Sequence, residues 1–97
     1  MPCTEKNSDD MYKELLGIID SIKEVHLNKL LKMFFVEDEA FIKAFKNHSA
    51  AKSIHHGFIG GLLEHTLSVA KLCIYIADNY PVIKRDLLVS AAIFHDI

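Results

Sequence analysis

Cysteine is scarce: Cys3 and Cys73 are the only two in 97 residues, too few for a disulfide framework and without the paired spacing of a metal finger. A reducing, cytoplasmic setting suits such a chain. An export signal is missing too, because the first ten residues are polar and include acids where an apolar segment would be required. The most apolar stretch, Leu67 to Ala77, is interrupted by Lys71 and is too short to span a bilayer, so no membrane partner is expected. Excess positive charge is also lacking. With 11 basic and 13 acidic side chains the net charge is −2 and the pI about 6.3, which argues against holding nucleic acid by bulk charge alone. No repeat and no low-complexity tract is present, and strand-like alternation is absent. What remains is a 51% hydrophobic, 25% charged chain, the composition of one globular domain and too short for two.

The apolar residues recur at helical intervals. After a leader over residues 1–8, Ser8 is placed to cap a helix whose buried stripe is Met11, Leu15, Ile18, Ile19 and Ile22. Leu27, Leu30, Leu31, Phe34 and Phe35 predict a second helix. A third begins at Glu37-Asp38-Glu39 and carries Lys43 and Lys46 late, the charge order a helix dipole favours, with Phe41, Ala44 and Phe45 inward. Between His48 and Gly61 the pattern breaks into a loop. A long helix runs from about Leu62 to Asn79 and stops at Pro81. Asp86 opens the last helix, where a carboxylate can cap free N–H groups, and Leu87 to Ile97 is apolar on nearly every side, which predicts a central position. The fold class is all-α.

Two helices carry polar residues where apolar ones belong. On the long helix Glu64, Ser68, Lys71, Tyr75 and Asp78 form the wet stripe, whereas His65 aligns with Val69, Leu72 and Ile76. On the last helix His95 aligns with Leu88, Ala91 and Ala92, and Asp96 with Val89, Ala92 and Ile93. A buried carboxylate is costly unless a cation or donors meet it. A divalent metal would offset that charge and satisfy both rings. The competing reading is a pair of hydrogen-bonded core histidines, and spacing leaves both open.

From Lys43 to His56 the chain is locally basic, with Lys43, Lys46, His48, Lys52, His55 and His56 and no acid before Glu64. This reads either as a phosphate-binding rim, with Lys52, His55 and His56 as substrate contacts, or as a solvated helix end. The glycines at 57, 60 and 61 follow no strand and make no dinucleotide motif.

The block Gly60-Gly61-Leu62-Leu63-Glu64-His65-Thr66, followed by Asp86-Leu87-Leu88 and Ala91-Ala92-Ile93-Phe94-His95-Asp96-Ile97, resembles the HD family of metal-dependent phosphohydrolases. With Phe45, Ala50-Ala51-Lys52 and His55-His56, it resembles more narrowly the HD domain of YhaM-type 3′-to-5′ exoribonucleases. The likeness covers most of residues 9–97, which would be the N-terminal portion of an HD domain. It implies a helical bundle of about five helices, incomplete at the C-terminus. His65, His95 and Asp96 would be metal ligands, with Asp96 also catalytic in orienting a coordinated water. The implied cofactor is a divalent ion, manganese first, with cobalt, iron, magnesium or zinc as alternatives.

Activity on single-stranded RNA or DNA, hydrolysed by a metal-activated water, is the expected function. Hydrolysis of free nucleotides or nucleotide second messengers is the alternative within the chemistry, and a non-catalytic helical interaction module the alternative outside it. The family pattern continues with Gly-Lys and a later aspartate ligand, so this chain by itself is expected to be inactive. Its apolar last helix is expected to drive homo-oligomer formation.

Overall fold

The computed structural model describes residues 8–48 and 61–95. Five α-helices account for most of them: α1 (Ser8–Asp20), α2 (Val25–Lys32), α3 (Glu39–Asn47), α4 (Gly61–Asn79) and α5 (Arg85–Phe94). Between α2 and α3 the chain makes one π-helical turn, Met33–Glu37. Among the described residues there is no strand, and no helix is long and apolar enough to cross a membrane. The loop read between His48 and Gly61 lies outside the described residues, except that its two ends meet: the Leu62 N–H donates to the His48 carbonyl at 3.0 Å.

Carboxylate side chains cap two of the helices, and the two caps expected from Ser8 and Asp86 are not formed as read. Asp38 accepts the Phe41 N–H at 3.0 Å and starts α3, and Glu24 accepts the Leu27 N–H at 2.8 Å and starts α2, each satisfying an amide that has no partner inside its helix. Ser8 is the first residue of α1 rather than its cap. Asp86 does bind free amides, but not those of its own helix. Its Oδ2 accepts from the Lys23 and Glu24 N–H groups at 3.0 and 2.9 Å, tying the α1–α2 corner to the start of α5. Arg85 reinforces the tie by donating to Ser21 Oγ at 3.0 Å.

One core gathers Leu15 and Ile19 of α1, Leu31 of α2, Phe35, Phe45 of α3, Leu63 and Leu67 of α4, and Val89 and Ile93 of α5. Phe35 is its aromatic centre, with rings of Tyr12, Phe41 and Phe45 at 6.4, 5.3 and 5.1 Å. The Tyr12 hydroxyl, itself buried, donates to the Phe35 carbonyl at 2.6 Å. Removing these rings from water supplies most of the driving force for packing α1 on the π turn and α3. At the surface, Lys71 pairs with Glu14 across α4 and α1, and Lys46 pairs with Asp9 at 2.6 Å while lying over the Tyr12 ring.

Three expectations about helix faces are corrected. Ala44 is exposed, and Ile42 takes the inward place beside Phe41 and Phe45. The buried face of α4 is Leu62, Leu63, Thr66, Leu67, Ala70 and Ala77, so His65 and Leu72 lie outside it; Leu72 is 58% exposed. The helix meets α1, α3 and α5 along the Leu63–Leu67–Ala70 line, and an alignment with Val69 and Ile76, both half-buried, does not carry His65 into the core. Helix α5 is not central on all sides either. Val89, Ser90, Ala92 and Ile93 are buried, mainly against α4, while Leu87 and Ala91 face outward.

Candidate metal centre

Pro81 ends the run of α4 because a proline ring offers no N–H to the preceding turn, and the chain reverses over a short connection into α5. The two helices therefore form an antiparallel hairpin, with the first turn of α4 beside the last turn of α5. His65 directly follows that first turn and His95 directly follows that last one. Their ring centroids are 5.6 Å apart at an interplanar angle of 49°. Both residues are exposed rather than buried, so the reading of them as core histidines is not what positions them.

The orientation of one ring is fixed by the backbone. His95 Nδ1 lies 2.5 Å from the Ala92 carbonyl oxygen. A carbonyl can only accept, so Nδ1 carries the proton and, in the neutral ring, Nε2 carries the lone pair. Histidines that hold metals use this arrangement, one nitrogen toward the ion and the other donating to an outer partner. The setting favours a cation as well. The carbonyls of the last α5 turn lack partners within the helix and carry its negative partial charge. The donor set therefore fits a borderline divalent ion, for which imidazole nitrogen is a common ligand.

Among the described residues no group of three His, Cys, Asp or Glu side chains gathers. Asp96, the third expected ligand and the expected catalytic carboxylate, lies outside the described residues, as do Lys52, His55 and His56. The basic run preceding them is partly neutralised. Lys46 is engaged with Asp9, and Lys43 lines a cleft of about 340 Å³ that it shares with Asp9 and Glu39. That cleft does not include His65 or His95. The Ala92 carbonyl was the functional group that sequence reading missed; its signal is the three-residue spacing that lets an imidazole after a helix end reach back one turn.

Comparison with known proteins finds similarity over most of the chain. The HD domain model matches residues 62–97. That stretch, which holds both histidines, is similar to the HD domain family. Among curated relatives, the 3′-5′ exoribonuclease YhaM of Listeria innocua is 32% identical over 91 residues, 94% of this chain and 28% of the relative. The YhaM proteins of Bacillus subtilis and Bacillus velezensis are 32% and 43% identical over 89 residues, in each case 92% of this chain and 27% of the relative. The chain thus spans little more than a quarter of the length of the curated relatives it matches. No solved structure matches it.

Proposed function

We propose that this chain supplies the metal-binding part of a phosphodiesterase that trims single-stranded RNA from its 3′ end. The observation that carries the reading is the meeting of His65 and His95 at the open end of the α4–α5 hairpin, inside the stretch matched by the HD family. His65, His95 and Asp96 are the proposed ligands of a divalent ion, with manganese the first choice. Such an ion, when bound, supplies Lewis acidity toward a phosphoryl oxygen and activates a water at neutral pH.

The chain's own groups have separate tasks. The Ala92 carbonyl holds the His95 proton on Nδ1 and so leaves the Nε2 lone pair to a ligand. Asp96 contributes the negative charge that two neutral rings lack, which favours a cation over water in the site. Lys52, His55 and His56 are the proposed phosphate contacts, holding a nucleic-acid backbone without reading its bases.

Titration of the protein with Co²⁺, followed by its visible absorption, tests the ligand set. The unaltered chain should bind, and His65→Ala and His95→Ala should each weaken binding by at least about tenfold. Unchanged affinity in both variants would refute the assignment. In the intact enzyme that carries this chain, a 5′-labelled RNA oligomer should shorten from its 3′ end with Mn²⁺. Turnover of mononucleotides instead would reassign the substrate, and absence of both metal and turnover would leave a helical interaction module.

A further inference from the structure

The π turn between α2 and α3 places two consecutive phenylalanines against different partners. Phe35 is fully buried in the aromatic centre of the core. Phe34, still 37% exposed, turns toward α5, where its ring meets Phe94 edge-on at 6.0 Å and 81° and meets Phe41 at 5.4 Å. Phe94 is the last residue of α5 and the immediate neighbour of His95. A last helical turn frays readily because its carbonyls lack partners further along the chain. The same turn holds the Ala92 carbonyl that orients the His95 ring. Isolated π turns are rare and recur where a helix has to re-aim side chains at functional sites.

We infer that Phe34 is a positioning residue for the histidine pair: by clamping Phe94 it holds the end of α5, and with it His95, against His65. The inference rests on the reading of that pair as metal ligands, but the positioning itself is measurable without metal. Ring-proton NOEs between His65 and His95 in the metal-free protein report it directly, and Co²⁺ affinity reports its consequence.

Phe34→Ala should remove the inter-ring NOEs and weaken Co²⁺ binding about tenfold, the scale of an outer-shell support, while the helix signal in circular dichroism is retained. Phe34→Leu, which keeps an apolar wedge over Phe94, should restore both. Met33→Ala, at the half-exposed neighbouring position of the same turn, should change neither. Retention of the NOEs and of affinity in Phe34→Ala would overturn the inference. So would equal losses in Met33→Ala, or global unfolding of Phe34→Ala, since each assigns Phe34 no role specific to the histidines. If the unaltered protein binds no Co²⁺, the metal reading fails and the NOE comparison alone decides whether Phe34 positions the pair.

Discussion

Replacing Tyr12 by Phe isolates one hydrogen bond in the core. The ring contacts with Phe35 and Phe45, at 6.4 and 6.5 Å, need no oxygen and are preserved. What is lost is the 2.6 Å donation to the Phe35 carbonyl at a residue only 6% exposed. A buried acceptor deprived of its donor costs about 1 to 2 kcal/mol, or a fall in Tm of roughly 4 to 16 °C for a domain of this size. A pH dependence follows from the same burial. The Tyr12 phenol is pushed up to about 12 by desolvation, against about 10 in an unfolded chain. The unfolded state therefore releases its proton first, and stability falls as pH rises. The Tyr12 contribution is complete below about pH 10 and is lost as the pH climbs through about 12. Urea denaturation followed by circular dichroism at pH 7, 9 and 11 measures both effects. The wild type should be the more stable at pH 7, and its advantage over Tyr12→Phe should shrink at pH 11. Equal stability at pH 7, or a gap that stays constant into alkali, would refute the reasoning.

Two further outcomes are expected. Asp86→Ala removes the acceptor shared by the Lys23 and Glu24 amides and should lower unfolding stability by about 1 to 3 kcal/mol, read from urea midpoints with the helix content unchanged. The Glu24 carboxyl is held below the usual glutamate range chiefly by the Leu27 N–H, so its capping of α2 is complete above the unfolded value and lost as pH falls through the lowered one. Hydrogen exchange at the Leu27 amide, corrected for intrinsic rate, should lose protection in that acid window; unaltered protection there would contradict the cap.

The helical architecture was legible because the apolar spacing of α1, α2 and α4 fits the 3.6-residue period and because Asp38 and Pro81 mark ends by their own chemistry. Which face of α4 is buried was not legible. Two apolar lines run along that helix, one through Leu63, Leu67 and Ala70 and one through Val69, Leu72 and Ile76, and only packing against α1, α3 and α5 decides between them. His65 sat beside the losing line, so its placement as a buried residue failed. Its meeting with His95 rests on the hairpin geometry instead. Asp86 was recognised as an amide acceptor, but the amides it binds belong to a distant corner that no local signal specifies. The π turn escaped for a related reason: Met33–Glu37 reads as ordinary helix, and its widened spiral becomes useful only when Phe34 and Phe35 have separate partners in three dimensions.

The tie made by Asp86 joins residues 62 and 63 positions apart, and that separation has a kinetic consequence. Bringing such remote points together carries a loop-closure entropy that nearby contacts avoid, so the corner is expected to close after the helices and their aromatic centre have formed. An interaction made so late is absent from the folding barrier and acts mainly on escape from the native state. Asp86→Ala is therefore expected to speed unfolding more than it slows folding, which stopped-flow urea jumps would measure.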